Sequence, residues 1–374
     1  MKKIKRALKW TSLAIIVALF AWFQFAYWTS TNDCEQLSAA QGDTMKAIVY
    51  CDYGSPDVLR LATIAKPVPT DAQVLVKVRA TSVNPYDWHF MRGEPRIMRM
   101  EFGLRKPKGM RMGVDFAGTV EAVGKDVTQF KPGDEVFGGR TGAFAEYVAV
   151  AEKFLIPKPD NISFEQAGAV QIAGLTALQG LRDSGKLHAG QKVLINGASG
   201  GVGTFAVQIA KTLGAHVTGV CSTRNVELVR SLGADHVVDY TKEDFTRAAE
   251  RYDLILDLVG NHGLLAVRRA LTPDGKYVMI GGPAGRWIAP MDTVIRAFLL
   301  QPFIKQEMGF MISKVNRDDL MLLRELMQSG RLTPVIDKTY PLSEARDAVA
   351  YVETGRARGK VVLTLETPQN VATR

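Results

Sequence analysis

The stretch KVLINGASGGVGTFAVQIAKTLGAHVTGVCSTRN, Lys192 to Asn225, sets a glycine-rich bend between a short apolar run and a run of helical period. In the second run Val202, Phe205, Ile209 and Leu213 fall near one face, and a glycine follows the last turn. A strand, then Gly197, Gly200, Gly201 and Gly203, then a helix is the context in which glycine spacing denotes dinucleotide binding. Small residues let the backbone approach a pyrophosphate, and the helix N-terminus offers open N–H groups and the positive end of a dipole. The spacing is G-x-x-G-x-x-G, a variant of the commoner G-x-G-x-x-G. A tight turn without a ligand is the plainer alternative. Against it stand the short apolar strands KVLIN, HVTGV, HVVDY, DLILDLV and KYVMIGG, separated by segments of helical length, as in a parallel sheet of βαβ units.

The strand after the bend bears on the nucleotide. A site for NAD carries an acid about 20 residues past the glycines, where it binds the ribose hydroxyls. Here the strand ends in Ser222, Thr223 and Arg224, which can donate to a 2′-phosphate that a carboxylate would repel. NADPH is therefore the expected cofactor. Arg224 as a solvated charge opening the next helix is the competing reading.

The chain has 374 residues, 47% hydrophobic and 23% charged, which suits a globular protein of two or three domains. Its net charge of +9 lacks the patterning of an RNA-binding sheet or a zinc finger, so nucleic acid is not an expected partner. Cys34, Cys51 and Cys221 show no C-x-x-C spacing, which argues against a disulfide framework and a structural zinc and fits a reduced compartment. Trp10 to Trp28 is free of charge and about as long as a membrane-crossing helix needs, with Trp and Tyr at its far end. An uncleaved single-pass anchor is expected over a signal peptide or a buried helix. Basic residues before the run favour a cytoplasmic amino terminus, whereas a need for NADPH favours a catalytic domain facing the compartment that supplies it. Translation from Met45 would instead give a soluble protein.

Residues 1–44 thus read as anchor and linker, 45–166 as a strand-rich unit, 167–310 as the parallel-sheet unit and 311–374 as a segment returning to strand. In this order MKAIVYCDYGSPDVL, SVNPYDWHFMRG, GVDFAGTVEAVGKDVTQFKPGDEVFG, GASGGVG and GRARGKVVL resemble a medium-chain dehydrogenase/reductase of the zinc-independent quinone oxidoreductase, or zeta-crystallin-like, branch. The resemblance extends to reticulon-interacting mitochondrial oxidoreductase-like proteins and covers Met45 to about Leu365. It implies an α/β protein: a GroES-like, partly open β-barrel, then a Rossmann domain, with the active site in the cleft between them. Oligomeric state is not legible; a homodimer is one option.

Zinc-dependent relatives carry Cys where this chain has Asn84 and His-Glu where it has Val114-Asp115, so no metal is expected. By resemblance Ser199, Gly200, Gly201, Val202 and Gly203 cradle the pyrophosphate, while Ser222, Thr223, Arg224 and Tyr240 meet the adenosine phosphate. Thr176 and the turn holding Val259 and Gly260 flank ribose and nicotinamide, and Arg358 and Lys360 reach the cofactor from the other domain. NADPH without metal suits hydride transfer to a quinone or an α,β-unsaturated carbonyl, with Asn84 donating to the developing oxygen anion and Tyr86 supplying a proton. The structural alternatives are a turn residue for Asn84 and a packed aromatic for Tyr86. At the level of function the alternatives are an NADPH-binding, membrane-associated interaction protein with little turnover, and an alcohol or aldehyde dehydrogenase.

Overall fold

The computed structural model describes residues 17–18, 21–22, 24–32, 34, 42–282, 285, 289 and 291–365. The first strands are β1 (Thr44–Val49) and β2 (Arg60–Ala65), an antiparallel pair. The unit continues through β3 (Gln73–Val83), β4 (Asp115–Val123), β5 (Glu135–Gly139), β6 (Tyr147–Ala151) and β7 (Leu155–Pro157). Val74, Val76, Val78, Phe116, Val120 and Val136 alternate inward from these strands into one apolar core, the period-2 pattern of half-buried strands.

Six parallel strands follow: β8 (Lys192–Asn196), β9 (His216–Cys221), β10 (His236–Asp239), β11 (Tyr252–Asp257), β12 (Leu271–Met279) and β13 (Glu307–Phe310). Their order is β10-β9-β8-β11-β12-β13, so the order reverses between β8 and β11, where doubly wound sheets bind ligands. Val193, Ile195, Leu254 and Leu256 are buried, and helix Gly201–Thr212 lays Phe205 and Ile209 on that core. Finally β14 (Ile336–Pro341) and β15 (Lys360–Thr364) join the first unit, β15 pairing antiparallel with β3 in a seven-stranded sheet. That return carries Lys360 from the end of the chain to Asn84 near its beginning. The GroES-like and Rossmann parts of the expected α/β fold are thus present.

Two expectations from the amino-terminal region change. Cys34 and Cys51 are paired as a disulfide, with Cα atoms 5.7 Å apart, and Cys221 is the buried free cysteine. Pairing is decided by proximity in the fold, and Cys51 follows β1 while Asn32, two residues before Cys34, donates from Nδ2 to the Cys51 carbonyl at 2.7 Å. Spacing along the chain carried no sign of it, and the argument for a reduced compartment loses its basis. The expected span Trp10 to Trp28 lies largely outside the described residues. Residues 24–28 are helical with Phe25 and Trp28 exposed, and among the described residues no helix is long and apolar enough to cross a membrane.

Candidate active site

The bend after β8 closes on itself through backbone contacts that leave no room for side chains. Gly197 takes φ +88°, and its N–H and that of Ala198 donate to the Val220 carbonyl at 3.2 and 3.0 Å, tying the bend to β9. A Cβ on Gly203 would stand 2.1 Å from the Gly197 oxygen and 2.7 Å from the Ala198 carbonyl carbon, so only glycine lets helix and bend approach. No side chain caps the helix that begins at Gly201. Its first N–H groups are therefore available to an anion.

The bend forms one wall of a cavity of about 910 Å³. Ser199 to Gly203, Ser222, Thr223, Arg224, Tyr240 and Val259 line it, as do Asn84 and Lys360 from the barrel side. Asn225, absent from the sequence reading, donates from Nδ2 to Ser199 Oγ at 2.9 Å and to Ser222 Oγ at 3.3 Å. Its Oδ1 is buried without a partner among the described residues. Arg224 Nη2 donates to the Arg356 carbonyl at 2.8 Å, so this guanidinium spans from the Rossmann sheet to the returning tail. Tyr240 stands exposed at the rim. Asp239, from the next strand over, also escaped the reading of β9. Thr223 Oγ1 donates to it at 2.6 Å, and this bond, with those from Thr241, holds the carboxyl well below the usual carboxylate range. Its charge is therefore turned toward hydroxyls rather than into the cavity.

Behind the wall residue Val259 lies Asp257, fully buried at the end of β11. Its Oδ1 accepts from Asn196 Nδ2 and from the N–H groups of Val259 and Gly260 at 2.8–3.0 Å, and its Oδ2 accepts from Tyr277 at 2.9 Å. The turn that carries Val259 into the cavity wall is thus held by one carboxylate. Gly260 serves the turn, with φ +68°, without reaching the wall.

On the barrel side three distant segments meet in a buried polar floor. Asn84 Oδ1 accepts from Lys360 Nζ at 2.5 Å, and Asn84 Nδ2 donates to Asp115 Oδ2 at 3.1 Å and to the Ser82 carbonyl at 3.2 Å. Lys360 Nζ lies 3.6 Å from Asp115 Oδ2, with both side chains at most 3% exposed. Burial pulls the Lys360 ammonium below its ordinary pKa, against the pull of Asp115 and Asp87. Asp87 accepts from the N–H groups of Asn84 and Gly113 and is pushed up to about 7 by burial. Asn84 also opens helix Pro85–Arg92. Asn84 therefore opens a helix and lines the cavity at once.

The remaining expected residues lie just outside the cavity wall. Tyr86 is half-exposed one residue beyond the wall residue Pro85, and burial raises its pKa. Thr176 is buried and donates to Ser313 Oγ at 3.0 Å. Arg358 is exposed and its N–H is held by Asp337, while its neighbours Arg356, Ala357 and Gly359 form the wall.

Zinc does not fit this donor set. At the positions of zinc ligands stand an amide, a valine and an aspartate, and Asn84 and Asp115 already share the Lys360 ammonium. A second cation there would be repelled. Among the described residues no group of three His, Cys, Asp or Glu side chains is arranged to hold a metal.

Two family models match the chain: the alcohol dehydrogenase GroES-like domain over residues 70–160 and the zinc-binding dehydrogenase model over residues 232–363. The 2-methylene-furan-3-one reductase of Solanum lycopersicum is 36% identical over 334 residues, covering 85% of this chain and 79% of the relative. The NADPH-dependent alkenal/one oxidoreductase, chloroplastic, of Arabidopsis thaliana is 35% identical with the same coverage, 85% and 79%. Among solved structures, the quinone oxidoreductase of Coxiella burnetii superimposes with a TM-score of 0.77 at 32% identity, over 87% of this chain and 100% of that one. The chain belongs to the medium-chain dehydrogenase/reductase superfamily, and it is an NAD(P)H-dependent oxidoreductase of that superfamily's quinone oxidoreductase-like branch.

Proposed function

We propose that this member of the medium-chain dehydrogenase/reductase superfamily reduces a quinone or an α,β-unsaturated carbonyl with NADPH and without a metal. The observation that carries the reading is the Lys360 ammonium held 2.5 Å from Asn84 Oδ1 and 3.6 Å from Asp115 at the floor of the cavity. It supplies, at the barrel side of the cleft, a fixed positive charge beside the acceptor. When bound, NADPH supplies the hydride. The chain's own residues bind, orient and balance charge. The open N–H groups of helix Gly201–Thr212 and the side chain of Ser199 hold the pyrophosphate, and Ser222, Thr223 and Arg224 take the 2′-phosphate. Tyr240 meets the adenosine phosphate with them, Val259, backed by Gly260 and Thr176, flanks the ribose and nicotinamide, and Arg358 and Lys360 reach the cofactor from the barrel side. A quinone or enone carries its own electron sink, so one developing oxygen anion is what the protein has to stabilise. Asn84 and Lys360 are the polar groups aimed there: Lys360 has a further N–H to offer, and Asn84 reaches the acceptor by releasing one of its two bonds. Tyr86, next to Pro85, is the proton donor in this reading.

We further propose attachment to a membrane through Trp10 to Trp28, with the catalytic part facing the compartment that supplies NADPH. The uncharged run and its terminal aromatics support attachment, and the need for a stoichiometric hydride donor supports the orientation. The Cys34–Cys51 pair argues for the opposite face, as do the basic residues before the run. Protease protection on sealed vesicles, with thiol labelling of Cys34 and Cys51, separates the two: a catalytic part protected on the non-cytoplasmic side with both thiols blocked overturns the orientation.

The functional reading is tested by following NADPH oxidation by the full chain with a panel of quinones and enones. Turnover with at least one class is expected. Tight NADPH binding with no turnover across the panel would favour the interaction-protein alternative instead.

A further inference from the structure

Beside the polar floor, residues 111–115 and 139–142 run next to each other, with Asp115 paired to Gly139. Arg140 N–H donates to the Val114 carbonyl at 2.8 Å, next to the floor residue Asp115, and Gly142 N–H donates to the Gly113 carbonyl at 2.9 Å. These two bonds bring the Arg140–Thr141–Gly142 turn beside Arg111. The Arg111 guanidinium packs over that turn: a Cβ on Gly142 would lie 3.1 and 3.2 Å from its Nε and Cζ. Arg111 lies four residues before Asp115, and Gly139, next to Arg140, pairs with Asp115 across β4 and β5, so the two arginines border the polar floor rather than a remote surface.

Their charges are unanswered, and Arg111 is partly buried as well. Arg92 is paired with Glu353, Arg182 with Asp319, and Arg317 donates to the carbonyls of Glu152 and Leu155. Arg111 is partly buried and Arg140 exposed, and among the described residues neither side chain has a hydrogen-bond or ion-pair partner. Burial, then the neighbouring charge of Arg140, pulls the Arg111 guanidinium below its ordinary pKa, and no carboxylate acts against this. Partly burying a guanidinium beside a second cation, with no acid in reach, costs free energy in the unliganded protein. An anion between the two relieves that cost, because two planar guanidinium groups match the geometry of carboxylate and phosphate oxygens.

We propose that Arg111 and Arg140 form a subsite for an anionic group, carboxylate or phosphate, carried by the acceptor molecule. The inference rests on the reductase reading and narrows it: the preferred acceptor is an amphiphile with an electron-poor double bond at one end and an acid at the other. In this reading the polar floor meets the reacting end.

The test uses the full chain and matched acceptors: alkyl enones of increasing chain length ending in a carboxylate, each against its methyl ester, with a phosphate monoester as a third arm. At low ionic strength the acids should give kcat/KM roughly tenfold or more above the esters at the chain length that spans the cleft, and added salt should reduce the gap. Arg111→Met and Arg140→Met should each collapse the acid-to-ester ratio toward one, with Arg111→Lys retaining part of it. The phosphate arm ranks the two anions. Equal kcat/KM for acid and ester in the unmodified protein, or an unchanged ratio in both variants, overturns the subsite. If no acceptor is turned over, it is the reductase reading that fails. The subsite is then read by calorimetric binding of the same carboxylates, which Arg111→Met must weaken, and absence of that weakening rejects it.

Discussion

The two walls of the cleft are made in opposite ways. The Rossmann wall is local: one strand, one bend and one helix within Lys192–Thr212, held by backbone contacts that a single misplaced Cβ would break. The barrel floor is non-local: Ser82 and Asn84 at the end of β3, Asp115 at the start of β4 and Lys360 from β15 meet as side chains, with Asn84 and Lys360 276 residues apart in sequence. The first wall recognises a ligand by leaving space and open N–H groups. The second concentrates charge in a dry place. Changes to the first should therefore reach cofactor affinity, and changes to the second should reach stability and turnover.

The largest expected effect is on the floor. Lys360→Met leaves Asp115 buried with no cation, and breaking a buried pair from one side costs about 3–5 kcal/mol. Thermal unfolding should show the loss. Asp115→Asn added to Lys360→Met should recover part of the stability without recovering turnover. A Lys360→Met protein as stable as its parent would mean that the ammonium is not the cation on which the floor depends.

On the other wall, Gly203→Ala places a methyl 2.1 Å from the Gly197 oxygen and forces the bend open. NADPH affinity should fall by about 100-fold, ~3 kcal/mol, with a smaller change in unfolding temperature. Titration of cofactor fluorescence reads the first quantity and a melting curve the second. If the two variants gave the same pattern, the division of labour between the walls would be lost.

How much of this was legible follows the same division. The glycine bend, its helix and the parallel strands were readable because each rests on neighbours in sequence: small residues where backbones meet, apolar residues at periods of 2 and 3.6. Residues at the floor were recognisable by resemblance, but their partnership was not. The sequence suggested that Lys360 reaches the cofactor, and nothing local announces that its ammonium ends on Asn84. Asn225 was missed although it follows Arg224 directly, because its part is to bond Ser199 and Ser222 across the bend. Asp239 was missed because only strand pairing puts the end of β10 beside the end of β9. The Cys34–Cys51 pair was missed for a similar reason, since a chain crossing brings the two together and spacing does not.

A smaller effect sharpens the Rossmann wall. Arg224→Ala removes a guanidinium that spans to the Arg356 carbonyl. The preference for NADPH over NADH should narrow by about tenfold, ~1.4 kcal/mol, while NADH binding changes little. Equal affinities of the unmodified protein for the two cofactors would instead assign Arg224 to linking the domains and leave the Asp239 side chain as the feature to examine.

The central claim, that a lysine ammonium stands where a metal would otherwise act, is tested most directly by metal analysis paired with kinetics. The full chain, dialysed against a strong chelator and assayed with NADPH and its best acceptor in the chelator's presence, should hold less than stoichiometric zinc and keep its full kcat/KM. Loss of activity on chelation, restored by added zinc at one ion per chain, would contradict the account.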